Sequence, residues 1–137
     1  MSETRTVIVE REIGQPAEKI WRALTQPHLI EEWLMKSDFK PVVGQRFTLS
    51  KQPKPDINVV IDCKVLEVEP ERTLSYTWAA YGTETVVTFT LTPTPTGTVV
   101  RVEQAGFPAE NKAAWKGANA SWPHFLAALD ELLKRTH

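Results

Sequence analysis

From Ile13 to Trp33 the chain reads I-G-Q-P-A-E-K-I-W-R-A-L-T-Q-P-H-L-I-E-E-W, and the punctuation of this stretch decides the architecture. Pro16 suits the first turn of a helix, where a missing N–H breaks no bond, and Ile20, Trp21 and Leu24 then recur at three- and four-residue steps on one face. Thr25-Gln26-Pro27 stops that helix, and a second short one from Pro27 carries Leu29, Ile30, Trp33 and Leu34. The spacing predicts a helical hairpin too small to bury its own apolar face, so it must lie against a sheet.

The flanks supply that sheet. Ahead of the hairpin, Thr4 to Ile13 alternates: Val7, Val9 and Ile13 share one face with Arg11, while Ile8, Glu10 and Glu12 share the other. Arg11 admits two readings, a strand-end side chain reaching to water or a charge lining a cavity. Behind the hairpin come Phe39, Val42 and Val43, a turn at Gly44 and a strand through Phe47 and Leu49. Residues 51–56, K-Q-P-K-P-D, read as a flexible polar rim in which two prolines disfavour a paired strand. Ile57, Val59, Ile61, Cys63 and Val65 then alternate with polar residues, and a parity change at Leu66 and Val68 predicts a bulge. After a turn at 69–72, Leu74, Tyr76 and Trp78 alternate with Thr73, Ser75 and Thr77. A turn at Tyr81-Gly82 leads to Val87, Phe89 and Leu91, and Pro93 to Gly97 leads to Val100, Val102 and Gln104.

Short turns between adjacent strands predict an antiparallel meander with an apolar inner face, and such a sheet needs a cover. Glu110 to Arg135 provides it as a long helix with Trp115, Ala118, Trp122, Phe125 or Leu126, Leu129 and Leu133 on one face. Lys112, Lys116, Asp130, Glu131 and Lys134 are expected to face out. Pro123 predicts a kink near Asn119 to Trp122, with Ser121 placed to cap the second half.

Composition bounds the rest. A chain of 137 residues fits one domain spanning 1–137. Sixteen Lys and Arg against seventeen Asp and Glu, with signs interspersed, give no field suited to nucleic acid. The lone Cys63 and the polar start M-S-E-T-R-T suit a cytoplasmic protein, and no stretch approaches the roughly 20 apolar residues of a membrane span. Oligomeric state is open between monomer and weak homodimer.

The whole pattern resembles the helix-grip superfamily of START domains, Bet v 1-like proteins and polyketide cyclases. Within it, the chain is most similar to the family of the activator of heat-shock protein 90 ATPase (C-terminal-domain-like). The residues that carry the likeness are I-x-x-P-A-E-x-I-W-R-A-L-T-x-P at 13–27 with Trp33, V-x-G-Q-R-F at 42–47, V-L-E-V-E-P-E-R-T-L-S-Y-T-W at 65–78, V-T-F-T-L-T-P at 87–93 with Gly97-Thr98, and G-F-P at 106–108. It departs from many relatives at Gln104, where they show His, at Cys63, where they show Gly, and at Ser121, where a Gly precedes Trp. The resemblance implies an α+β helix-grip fold: a curved antiparallel sheet, two short helices after the first strand, and a long C-terminal helix with a cavity beneath it. It implies no shared catalytic set and no cofactor.

His28, His124 and His137 have no second ligand at helical spacing, so no metal is expected. Cys63 lies mid-strand without an evident base, and no Gly-rich loop precedes a helix to hold phosphate. Asp62 and Glu67 are the only carboxylates placed for inward acid–base work.

The aromatic set stands out. Trp33, Phe39, Phe47, Tyr76, Trp78, Phe89, Trp115, Trp122 and Phe125 all fall on inward faces, joined there by Ile61, Cys63, Gln104 and Ala118. They form either a large packed core or the lining of a ligand cavity, with Tyr76 and Gln104 as polar contacts. Three functions follow: a non-enzymatic binder of small hydrophobic or aromatic molecules, a co-chaperone-like interaction module, or a cyclase-like enzyme.

Overall fold

The computed structural model describes residues 4–80 and 82–136, so the expected turn residue Tyr81 and the terminal His137 lie outside it. Ten elements follow in chain order: β1 (Thr4–Ile13), α1 (Ala17–Thr25), α2 (Pro27–Trp33), β2 (Lys36–Ser37), β3 (Arg46–Lys54), β4 (Ile57–Glu69), β5 (Thr73–Ala80), β6 (Thr83–Thr94), β7 (Gly97–Pro108) and α3 (Lys112–Arg135). The strands form one antiparallel sheet in the order β1-β7-β6-β5-β4-β3-β2. The α+β helix-grip fold is thus as the resemblance implied.

Alternation decides which face each strand buries. Phe47 and Leu49, Ile61, Cys63 and Val65, Leu74 and Tyr76, Val87, Phe89 and Leu91, and Val100 and Val102 are all buried on the inner face. Two irregularities re-aim that face. Leu66 is the extra residue where the β4–β5 register shifts between Val65 and Glu67, which exposes Leu66 and bends the long strand. Gly106, at φ 104°, occupies the shift between the partners of Arg5 and Thr6 in β7. A residue with a Cβ is strained at that angle, and the bulge lets Gln104 and Phe107, three positions apart, both point inward and be buried.

Three expectations are corrected. Residues 51–54 are not a loop: Lys51 pairs with Val59 and Lys54 with Ile57, leaving Pro55 and Asp56 as the turn. Pro53 falls inside the register irregularity between those pairs, on a stretch of β3 that β2 does not cover, so its missing N–H costs little there. Second, α3 runs as one helix through Pro123, so Ser121 has no second helix start to cap. The proline removes a donor only for the Asn119 carbonyl, and both residues are exposed, so water satisfies that group. The real cap is Asn111, whose side chain accepts from the Ala114 N–H at 3.2 Å.

Third, Asp130 does not face out. It is 8% exposed and meets Arg11, whose Nε and Nη2 each lie 2.9 Å from Oδ2. This resolves Arg11 as well: its place on the apolar face of β1 is explained by an ion pair to α3. At the same end, Lys19 of α1 donates to the carbonyls of Leu133 and Thr136 at 2.7 and 2.6 Å, closing the C-terminal turn of α3. The Trp33 indole N–H donates to the Ala23 carbonyl at 2.8 Å and locks the hairpin to itself.

Arg11→Met should therefore cost about 1–3 kcal/mol in urea denaturation, because it strands a nearly buried carboxylate. Adding Asp130→Leu should recover most of that loss. Wild-type stability in the single variant would show that the pair contributes nothing.

Candidate ligand cavity

The two halves of α3 differ in side-chain size. From Trp122 onward, Trp122, Leu126, Leu129, Asp130, Leu132 and Leu133 are buried against the sheet. The first half presents Ala114, Gly117, Ala118 and Ser121, at three- and four-residue steps, toward the same sheet. Small side chains cannot span the distance that leucine and tryptophan span, so a cavity of about 480 Å³ remains between this half and β3–β7. Exposed Lys51, Ala113 and Gly117 mark its open side; buried Met35, Ile61, Thr85, Gln104, Phe107 and Trp122 form its floor. Its volume falls in the range of roughly 300–1,000 Å³ typical of small-molecule sites.

Its inner end is fixed by a line of hydrogen bonds. The Trp122 indole N–H donates to Gln104 Oε1 at 2.8 Å, Gln104 Nε2 donates to Thr85 Oγ1 at 2.8 Å, and Thr85 donates to the Trp78 carbonyl at 3.2 Å. Three side chains from α3, β7 and β6 and a backbone carbonyl of β5 are thereby held in one arrangement, and each polar atom of the buried Gln104 has a partner. At the rim, Asn111 Nδ2 donates to Thr83 Oγ1 at 2.8 Å while its oxygen caps α3.

The expected lining residues divide. Ile61, Trp78, Gln104, Ala118, Trp122 and Phe125 line the cavity. Trp33, Phe39, Phe47, Cys63, Tyr76 and Phe89 do not; they are packed in the core. Their rings meet edge to face or tilted: Phe39–Phe47 at 4.9 Å, Phe47–Tyr76 at 5.0 Å, Tyr76–Phe89 at 6.0 Å and Phe89–Trp122 at 5.7 Å between centroids. This row of rings reaches α3 at Trp122, which is itself part of the cavity wall. Trp115 lies elsewhere again, beside β1, with Arg5 5.2 Å above its ring and its N–H 3.4 Å from the Thr6 carbonyl.

Reading parity alone missed Met35, Lys51, Val59, Thr85, Phe107, Asn111 and Gly117 among the lining residues. The small-residue spacing along α3 was the signal that would have found the space.

Reactive groups sit away from the cavity or are muted. Burial pushes the Cys63 thiol up to about 12, with the Asp62 and Asp38 carboxylates adding to it. Burial, and secondarily Cys63, raises the Tyr76 phenol well above its ordinary range. Asp62 and Glu67 are exposed, and neither lines the cavity. Among the described residues no group of three or more His, Cys, Asp or Glu could hold a metal ion, and no helix is long and apolar enough to cross a membrane.

A sheet gripping one long helix, with a cavity under the helix's small-residue half, defines the class as helix-grip. Residues 15–134 match the family described as Activator of Hsp90 ATPase homolog 1-like protein, and the chain belongs to that family. Among solved structures it is similar to protein MLL2253 from Mesorhizobium loti, at 56% identity over 97% of this chain and 99% of that one, with a TM-score of 0.90. Protein NE0264 from Nitrosomonas europaea shares the fold at 21% identity, covering 95% and 94% of the two chains, with a TM-score of 0.84. Protein BH1534 from Bacillus halodurans does so at 24% identity, covering 97% and 99%, with a TM-score of 0.79. No curated protein matches the chain.

Two outcomes follow from this geometry. At pH 8 Cys63 should resist a disulfide reagent in the folded protein and react fully once the chain is unfolded in guanidinium. The raised value favours the neutral thiol in the fold, so its contribution to stability is intact below the ordinary 9.0 and is lost as pH climbs toward about 12. Gln104→Leu should lower stability by about 1–3 kcal/mol in thermal unfolding, since it leaves the Trp122 N–H without an acceptor; an unchanged melting temperature would mean that the hydrogen-bond line is dispensable.

Proposed function

We propose that this chain is a non-enzymatic binding module and that its principal partner is a chaperone of the Hsp90 class, which it engages in a co-chaperone-like manner. The observation that carries this reading is the family match across residues 15–134, to a family described by activation of the Hsp90 ATPase. The match favours a protein partner over a small ligand. A catalytic reading has less support, because Asp62 and Glu67 are exposed and no described lining residue of the cavity is a carboxylate.

A second reading rests on one specific observation, the cavity of about 480 Å³ with Trp78, Trp122 and Phe125 in its wall. Such a space suits a small hydrophobic or aromatic molecule. The two readings use different parts of the molecule, the outer surface in one case and the interior in the other.

One experiment separates them. The ATPase rate of an Hsp90-family chaperone should rise saturably when wild-type protein is added, and should rise equally with Gly117→Leu, whose new side chain enters open space in the cavity. Thermal-shift screening against apolar and aromatic compounds should give hits with wild type that disappear in Gly117→Leu. No change in ATPase rate would sink the co-chaperone reading, and no thermal shift would sink the other.

A further inference from the structure

The polar groups of the cavity wall are not equivalent. Gln104 uses both ends of its amide, Thr85 both donates and accepts, and Asn111 and Thr83 bond each other while Asn111 caps α3. A ligand gains little by competing for groups already satisfied within the protein. Lys51 is different. Among the described residues its ammonium takes part in no hydrogen bond or ion pair, and it is the one charged side chain in the wall.

Its position is set by the sheet. Phe47, Leu49 and Lys51 follow one another at two-residue steps on β3, and the first two are buried on the inner face. Lys51 continues that face opposite Val59, where the wall passes from core to solvent. A cation thus stands at the open side of a space whose floor is Trp122, Phe107, Ile61 and Met35. The same side receives the start of α3, at Asn111, Ala113 and Ala114, whose partial positive charge adds to the field of the ammonium.

We propose that the cavity selects amphipathic carboxylates: an aromatic or aliphatic body seated between Trp78, Trp122 and Phe125, with the carboxylate held at the open side by Lys51. This deepens the small-ligand reading above and rests on it. The selection is electrostatic and sits near water, so it is moderate in size and sensitive to salt.

The test uses matched pairs that differ only in charge, 2-naphthylacetate against 2-naphthylacetamide and decanoate against decan-1-ol, titrated by calorimetry near pH 7. Wild type should bind each acid about three- to tenfold more tightly than its neutral partner, and the margin should shrink at high salt. Lys51→Met should reduce the acids to the affinity of the neutral compounds and leave those unchanged; Lys51→Glu should invert the preference. Both variants alter an exposed side chain, so folding is not at issue. Equal binding of acid and neutral compound by wild type, or an undiminished preference in Lys51→Met, would overturn the carboxylate proposal while leaving the cavity as a neutral site. Failure of every compound to bind would overturn the small-ligand reading itself, and the proposal with it.

Discussion

The hydrogen bond from the Trp122 indole to Gln104 is the point on which the rest of the structure turns. It fixes the middle of α3 to β7, and the two halves of the helix on either side differ in kind. Toward the C-terminus, large apolar side chains fill the space between helix and sheet, and the Arg11–Asp130 pair and the Lys19 contacts fasten the end. Toward the N-terminus, small side chains leave the space open. The indole must also satisfy a buried N–H, so the acceptor on β7 determines where the helix can lie as much as its apolar face does.

That division separates the part of the molecule that holds the fold together from the part that leaves room. The core that holds the sheet in its curve is built from a row of packed rings, Phe39 to Phe89, and does not depend on what occupies the cavity. The chaperone contact proposed above would use the outer surface, and the proposed small ligand would use the cavity. The likeness to MLL2253 runs through both halves of the helix and the whole sheet beneath it, over 97% of this chain.

Much of this was legible in the residues. Alternation in β4 to β7, the bulge at Leu66, the helical hairpin closed by Trp33 and the long helix over an apolar face all followed from period and punctuation. What failed did so for definite reasons. Parity states which face a side chain occupies but not what stands across from it, so Phe47 and Trp78 looked alike although Phe47 is enclosed by rings and Trp78, beside Trp122, also faces the cavity. Asp130 read as solvent-facing because its partner lies 119 positions away on β1. The prolines at 53 and 55 argued against pairing, yet Pro53 falls in a register irregularity beside an uncovered edge and Pro55 in the turn itself.

The two halves of α3 have one further consequence, in the time domain. Cooperative opening of a helix is governed by the contacts each turn would surrender, and here those contacts are distributed unevenly along 24 residues. Backbone amides from 113 to 121 are tied to the molecule through alanine, glycine and serine on the cavity side and through half-buried Trp115 beside β1, whereas those from 122 to 133 are tied through its core. Hydrogen exchange along this single helix would accordingly rise from C-terminus to N-terminus as a gradient, with the fast end lying directly over the cavity. The helix would thus loosen first over the cavity, while its turns from Trp122 onward keep the global fold closed.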